Sequence, residues 1–269
     1  MDVPPSFGRP GLARVDRDAA AGGRRARRLR ERVRERFPRG ALAVFSGRRV
    51  LERPDRSRGA VVAAELDRTL DALREAGTLL QFEEALAALL AGQLPPGLSF
   101  ALSWDGGCEE LWLHGVEVLA WHRLRSAVFV SGAAAAPGGR FWWDRDGACG
   151  RRAAPQLFQR RRELFVLGHG GVAHRSLEAL AEEEQRQELG LLEVTTGPWL
   201  AYPFGGPGDA GERAAAAARA AGFSAAFTAQ PGLALPGADP YRLPRIPLGQ
   251  GRAAEVLRRL EALSAGAGS

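Results

Sequence analysis

Residues 98–107 read LSFALSWDGG, a mostly apolar run that ends in Asp105 and two glycines. Such a run is typical of a buried strand that delivers one polar side chain into a loop at its carboxyl end. The run begins after the Pro95-Pro96 turn, and an amphipathic segment, Glu109–Leu124, follows it. The order strand, loop, helix predicts one β/α unit of a parallel sheet.

The same alternation of strand and helix recurs on both sides of this stretch. The predicted strands are Ala41–Phe45, Leu79–Gln81, Leu98–Trp104, Ala127–Ser131, Leu164–Leu167, Trp199–Tyr202 and Ser224–Thr228. The predicted helices are Val61–Ala76, Phe82–Ala91, Glu109–Leu124, Ser176–Leu189, Gly211–Ala221 and Arg252–Leu263. This alternation implies parallel strands joined by right-handed crossovers. About seven such units fit either a barrel or a doubly wound sheet, and periodicity does not choose between the two.

The composition describes a globular chain. Its 269 residues are 45% hydrophobic, which is enough for a sizeable core and excludes a disordered chain. No run approaches the roughly 20 apolar residues that a membrane-spanning helix needs. Residues 1–40 lack the apolar centre of a secretory signal peptide. We therefore expect a cytoplasmic protein.

The net charge of +6 comes from an unusual residue usage. The chain contains no Lys and no Asn, and Ile246 is its single Ile. Such a uniform bias indicates a GC-rich coding sequence rather than selection for a partner, so we expect no nucleic-acid partner. Cys108 and Cys149 form no CxxC pair and are interpreted as two thiols.

Residues 1–40 are predicted to form a basic N-terminal arm, a Pro- and Gly-rich tail followed by a helix. Leu29, Val33 and Phe37 recur at four-residue spacing and form one thin apolar stripe. The stripe favours a solvated helix packed lightly on the next domain. The alternative is a peripheral contact with an anionic membrane through the arginines. A barrel domain over residues 41–264 and a flexible tail over 265–269 complete the division.

Polar residues follow the predicted strands at the points where parallel α/β folds place their chemistry. Asp105 follows one strand, and His169 and His174 follow another. Asp, His and His form a plausible zinc ligand set with one position open for water. The alternative is that all three are ordinary polar loop residues.

Seven segments of the chain stand in an order that one protein family shares. They read LSWDGG (102–107), AVFVS (127–131), RFWWDR (140–145), HRSL (174–177), AYPFG (201–205), AGFSAAFT (221–228) and YRLPRIP (241–247). They resemble the TFDDG, ATFFVS, PFWWDR, SHTxTHPxL, FAYPYG, AGFRAAFTT and YxLPRIPV stretches of polysaccharide deacetylases, the NodB-homology family of the carbohydrate esterase superfamily. The resemblance implies a distorted (β/α) barrel with about seven parallel strands, preceded here by the basic helical arm.

The resemblance also implies a chemistry, the metal-dependent hydrolysis of acetyl amide bonds on amino sugars. A divalent metal, with zinc as the first expectation, polarises the acetyl carbonyl and activates water. A carboxylate removes a proton from that water, and an acid protonates the leaving amine. Asp105 matches the family's base, and His174 matches one of its metal ligands.

Three positions that carry this chemistry in the family hold unsuitable residues here. Gly106 stands at a metal-binding Asp, Gly170 at a metal-binding His, and Arg48 at an acid His. His169 lies one residue before the vacant His position and is a candidate replacement ligand. We therefore expect the deacetylase activity to be weakened or absent.

Two alternatives accompany this expectation. The first is a pseudoenzyme that needs no metal and binds an N-acetylated glycan, an amino sugar or another partner. The residues expected to line its groove are Trp104, Trp143, Tyr202, Pro203 and Phe204. The second is an active hydrolase with a rearranged metal site made of Asp105, His169 and His174.

Overall fold

The structure, a computed structural model, describes residues 17–54, 60–132, 139–141, 150–192, 194–249 and 253–266. Its strands are β1 (Ala41–Gly47), β2 (Arg49–Leu51), β3 (Ala60–Val62), β4 (Thr78–Leu79), β5 (Leu98–Gly106), β6 (Ser126–Val130), β7 (Phe165–His169), β8 (Trp199–Ala201), β9 (Ala225–Phe227) and β10 (Ile246–Pro247). Its α-helices are α1 (Arg17–Arg36), α2 (Ala63–Ala76), α3 (Phe82–Leu90), α4 (Val116–His122), α5 (Pro155–Gln159), α6 (Glu182–Glu188), α7 (Glu212–Ala220) and α8 (Ala253–Gly266). A π-helical turn, Leu111–Gly115, leads into α4, and a 3-10 turn, Leu177–Ala179, precedes α6.

The centre of the fold is a parallel sheet with the strand order β10-β1-β5-β6-β7-β8-β9, and β4 also pairs with β5. Phe129 of β6 and Phe227 of β9 have ring centroids 5.6 Å apart, although these strands are not neighbours in the sheet. The sheet must therefore curve around the side chains of one face. This curvature selects the barrel over the flat doubly wound sheet and confirms the predicted distorted (β/α) barrel.

Successive side chains of each strand enter two different apolar clusters, because neighbouring residues face opposite sides of a sheet. The inner cluster, inside the curve, includes Leu42, Val44, Ala101, Phe129 and Phe227. The outer cluster, between the sheet and the helices, includes Phe45, Phe100, Leu102, Trp104 and Val128. Helix α3 adds Phe82 and Leu86 to the inner cluster, whereas α1, α2 and α8 contribute to the outer one.

Helix α1 shares the core of the barrel. Its Leu29 and Val33 are buried in the outer cluster, together with residues of α2 and α8. Arg25 and Arg32 both form ion pairs with Glu261 of α8. The apolar stripe that defined this helix in the sequence therefore faces the barrel and leaves arginines on the outer surface. Within the described ranges, no helix combines the length and the apolar character needed to cross a bilayer.

Short elements account for most differences from the sequence expectation. The segment predicted as the start of a helix at Val61 is strand β3, which pairs with β2 in a small parallel sheet of its own. The predicted helix Ser176–Leu189 is a 3-10 turn followed by α6. Elements of two to seven residues contain too few turns or alternations to show a clear period. Helix α8 reaches Gly266, two residues past the expected domain end at 264, and residues 267–269 lie outside the described chain.

Replacing Leu29 by Ala should destabilise the whole protein. Leu29 is 1% exposed, and truncating a buried Leu costs about 2–5 kcal/mol of unfolding free energy. Urea unfolding of the purified variant measures this change. The control is Arg30→Ala on the exposed side of the same helix, which should stay within about 0.5 kcal/mol of wild type. Equal stability of the two variants would show that α1 is a detachable arm.

Candidate functional site

A small cavity lies at the carboxyl ends of the central strands, where a parallel barrel places its chemistry. Its volume is about 60 Å³. Its charged and polar side chains belong to Arg48, Asp105, Ser131, His174 and Arg245. Its aromatic walls come from Phe129, Phe141, Tyr202 and Phe204. The fold thus brings two of the predicted site residues, Asp105 and His174, to one place.

Asp105 is held by a buried arginine. Its Oδ1 accepts a hydrogen bond of 2.7 Å from Nη1 of Arg245, whose side chain is 2% exposed. The same guanidinium donates from Nε to the Thr228 carbonyl at 2.9 Å and from Nη1 to Ser103 Oγ at 3.3 Å. It also lies 5.5 Å from the centroid of the Phe129 ring. Three partners and a ring contact fix the cation, so the Asp105 carboxylate is fixed as well.

Arg48 follows β1 directly. Strands β1 and β5 pair in register up to Gly47 and Trp104, and Arg48 lies in the bend between β1 and β2. Arg48 lines the cavity, and its positive charge is one of the causes that lower the pKa of His174. The position of the family's acid His is therefore occupied by a permanent cation that faces the cavity.

His174 is half-buried, and its imidazole is neutral at working pH. Burial lowers its pKa from 6.5 to about 4; the contact with the Gly170 carbonyl opposes this shift, and the charge of Arg48 adds to it. Its Nδ1 lies 3.4 Å from both Ser131 Oγ and the Gly170 carbonyl oxygen. In the tautomer that carries its proton on Nδ1, this nitrogen can donate to the carbonyl. The Phe204 ring packs edge-on against the imidazole, with centroids 4.9 Å apart.

Glu188 of α6 holds the loop that presents His174. Its carboxylate accepts hydrogen bonds from the backbone N–H groups of Ala173, at 3.1 and 3.2 Å, and Arg175, at 3.1 Å. The His174 N–H is a further donor to it, and burial raises the pKa of this carboxyl group. His174 itself has a φ of 57°, in the left-handed region that non-glycine residues seldom adopt. The N–H groups of residues 173–175 all donate to the Glu188 carboxylate, and these hydrogen bonds offset the free-energy cost of the left-handed conformation at His174.

His169 does not reach the cavity. It ends β7 with its side chain on the outer side of the sheet, where its ring packs against Phe223 at 5.4 Å. Its Nε2 donates to the Gly190 carbonyl at 2.9 Å, and its Nδ1 accepts from the Gly171 N–H at 2.9 Å. Both ring nitrogens are therefore engaged by backbone groups. In this arrangement His169 is not the replacement ligand that the sequence suggested.

Neighbouring atoms crowd the two glycine positions. Gly106 has a φ of 89°, and a Cβ built on it would lie 3.2 Å from the Phe141 ring. A Cβ on Gly170 would lie 3.0 Å from Ser131 Oγ and 3.1 Å from the Val130 carbonyl oxygen. Ser131 Oγ also donates to the Gly170 carbonyl at 2.9 Å. A Cβ at either position would thus require neighbouring atoms to shift by a few tenths of an ångström.

These residues do not fit the family's metal. Structural and catalytic zinc sites in proteins use at least three side-chain ligands. Within the described chain, no group of three or more His, Cys, Asp or Glu side chains is placed to hold a metal ion. Asp105 and His174 remain, and Asp105 already bonds to an arginine. The donor set of the described cavity therefore supports no chemical step through a bound metal.

Two of the five predicted groove residues belong to the protein interior. Trp104 is fully buried in the outer cluster, and its Nε1 donates to Ser126 Oγ at 3.0 Å. The groove assignment of Trp104 is wrong, because strand alternation turns this side chain away from the cavity. Pro203 is buried, and a Cβ built on Gly171 would lie 3.0 Å from its Cγ. Pro203 thus supports the neighbouring turn.

Tyr202 and Phe204, two of the other three predicted groove residues, line the cavity. The Tyr202 hydroxyl donates to the Tyr241 carbonyl at 2.8 Å, and burial raises the pKa of this phenol. Phe204 is 48% exposed at the rim and holds a φ of 60°. Phe204 is thus the described aromatic that offers a face to a ligand. Trp143 lies outside the described residues.

Two residues that fix the site were missing from the sequence prediction. Arg245 stands within the quoted YRLPRIP segment, but nothing in its local pattern shows that it reaches Asp105, which lies 140 positions earlier. Glu188 stands in a helix rich in Glu, where no local signal separates it from its exposed neighbours. Both contacts depend on tertiary structure.

Comparison with solved structures identifies the fold. The chain is similar to the Streptococcus pyogenes deacetylase PplD in complex with acetate, with 16% identity, 83% of this chain and 98% of that chain covered, and a TM-score of 0.63. It is similar to IcaB from Ammonifex degensii, with 22% identity, 83% and 97% coverage and a TM-score of 0.61. It is also similar to a de-N-acetylase from Aggregatibacter actinomycetemcomitans, with 11% identity, 83% and 99% coverage and a TM-score of 0.63.

No family model matches the sequence, and no curated protein matches it. The structural similarity covers most of this chain and nearly the whole of each of these three proteins. At such low identity it establishes the architecture. The chain has the fold of polysaccharide deacetylases.

Replacing His174 by Gln should make stability less dependent on pH between 6.5 and 4. In this range the unfolded chain protonates this His, whereas the folded chain keeps it neutral down to a pKa of about 4. Wild type should therefore lose up to about 3 kcal/mol from this residue as the pH falls. Urea unfolding of both proteins at several pH values measures the difference. Parallel stability curves would show that the imidazole is not buried as described.

Replacing Glu188 by Gln should loosen the loop around His174. The amide keeps the volume of the carboxylate but turns one acceptor into a donor that faces backbone N–H groups. We expect faster hydrogen exchange at the amides of Ala173 and Arg175. Glu183→Gln, on the exposed side of the same helix, is the matched control and should leave these amides unchanged. Unchanged exchange in Glu188→Gln would contradict the assigned contacts.

Proposed function

We propose that this chain is a polysaccharide-deacetylase-like protein of carbohydrate metabolism that binds an N-acetylated glycan, with hydrolysis of the acetyl amide weakened or lost. One combination of features carries the proposal. The cavity keeps Asp105 at the position of the family's base, while glycines occupy two ligand positions, 106 and 170, that surrounding atoms crowd. The site thus retains the means to contact a substrate group, but its described lining lacks the three ligands that metal chemistry needs.

The size of the cavity decides which part of a glycan it could receive. Pockets that enclose whole drug-sized ligands measure about 300–1,000 Å³, whereas this cavity measures about 60 Å³. It has room for a substituent such as an acetyl group, and the sugar ring would stay outside. Phe204, exposed at the rim, is suited to pack against the apolar face of that ring.

Proton transfer to a leaving amine is poorly supported. Arg48 stays protonated under all working conditions and is a poor general acid. The Tyr202 hydroxyl is already a donor to the Tyr241 carbonyl, and burial raises the pKa of this phenol further from neutrality. Burial lowers the pKa of His174 to about 4, so its imidazole is neutral at working pH and is a poor proton donor. These groups favour binding over turnover.

The test is to measure binding and turnover with the same ligand. We expect an N-acetylglucosamine oligomer to bind saturably in isothermal titration calorimetry and to release no acetate. Phe204→Ala should weaken binding about 3- to 10-fold, which corresponds to the usual contribution of one aromatic contact. Leu191→Ala, an apolar side chain that is 99% exposed and lies outside the cavity lining, is the matched control and should bind as wild type does.

Zinc, cobalt or nickel added to the same assay tests the alternative of an active hydrolase with a rearranged site. Sustained acetate release that depends on the metal and disappears in His174→Ala would replace the proposal with that alternative. The absence of any glycan binding would remove the proposed function altogether.

A further inference from the structure

The charge at the cavity differs from the charge that a metal site requires. Its described lining holds two arginines, Arg48 and Arg245, and one carboxylate, Asp105. His174 adds no negative charge, and its imidazole is neutral at working pH, because burial lowers its pKa to about 4. Asp105 is bonded to Arg245, and Arg48 also lines the cavity, so two of the three ionic side chains in the described lining are cations. Guanidinium N–H groups donate to oxygen atoms and do not coordinate metal ions, so this described lining suits a polarised oxygen better than a divalent cation.

We propose that Arg48 takes the place of the metal ion, donating hydrogen bonds to the carbonyl oxygen of a bound acetamido group while Asp105 accepts one from its N–H. The cavity then recognises the acetamido group without any metal. This inference rests on the proposed function, because it assigns the residues that select the ligand there.

The shared cavity supports the geometry of this pair. Asp105 belongs to β5, Arg48 lies in the bend directly after β1, and both line the same cavity of about 60 Å³. A trans secondary amide directs its C=O acceptor and its N–H donor in opposite directions within one plane, which matches a cation and a carboxylate that line one small cavity.

The two side chains retain hydrogen-bonding capacity for a ligand. Asp105 uses Oδ1 for Arg245, and its side chain is 28% exposed, so the carboxylate remains accessible from the cavity. A guanidinium has five N–H donors in a planar fork, so Arg48 can bind a carbonyl oxygen in addition to its contacts within the protein. The methyl end of the acetamido group has apolar neighbours in Phe129, Ala201 and Ala229.

The test compares acetylated and deacetylated ligands in a protein stripped of metal. We expect an N-acetylglucosamine oligomer to bind equally well with EDTA and with added zinc, and the matching glucosamine oligomer to bind at least tenfold more weakly. Arg48→Gln should lose roughly 10- to 100-fold in affinity, the usual effect of one hydrogen bond from a charged donor. Arg48→Lys keeps the charge but not the planar guanidinium, so its affinity should lie between those of wild type and Arg48→Gln. Arg30→Gln on the outer face of α1 is the matched control and should bind as wild type does.

The outcomes separate this inference from the proposed function. Glycan binding that needs zinc, or that is equal in wild type and Arg48→Gln, would overturn the role of Arg48 and leave the proposed function standing. Preference for acetate or a uronic acid oligomer over the acetamido ligand would overturn it in favour of an anion site. Failure of the wild-type chain to bind any glycan would overturn both. The comparison of EDTA with zinc uses wild type only, so it shows whether glycan binding depends on a metal even if a variant does not fold.

Discussion

The alternation of side chains along the parallel strands decides which residues of this chain can take part in a site. Leu42 and Val44 of β1 face the inside of the barrel, and Arg48, in the bend directly after this strand, lines the cavity. On β5 it sends Asp105 to the cavity and Trp104 to the outer cluster. Residues two positions apart along a strand face the same side of the sheet, whereas the residue next to a cavity residue faces away from the cavity.

Electrostatics then decides what the assembled residues can do. The Arg245 side chain is almost completely buried, and an isolated buried charge would cost several kcal/mol. Its bonds to Asp105, Ser103 and the Thr228 carbonyl offset that cost and fix the carboxylate in place. The same pairing engages one Asp105 oxygen with a cation, which makes it less available as a metal ligand. Arg48 adds a second guanidinium to the described lining.

The sequence predicts the large elements and the place of the site. The apolar runs of β1, β5, β6 and β7 and the loops that follow them are enough to predict that Asp105 and His174 lie at one end of the sheet, and both residues line the cavity. The prediction for His169 failed because spacing along a loop does not show on which side of a strand a residue lies. Its position at the end of β7, one residue before Gly170, turns it to the helices. Arg245 and Glu188 act through contacts between distant segments, which no local pattern records.

The two glycines are part of the packing around the cavity. Asp at position 106 would have to adopt a φ of 89° and shift the Phe141 ring, and His at position 170 would place its Cβ 3.1 Å from the Val130 carbonyl oxygen, which is backbone. Either substitution would therefore strain the backbone or require a neighbouring atom to shift by a few tenths of an ångström. With Asp105 fixed by Arg245 and Arg48 lining the same cavity, the described side chains suit the recognition of a polar group without a metal.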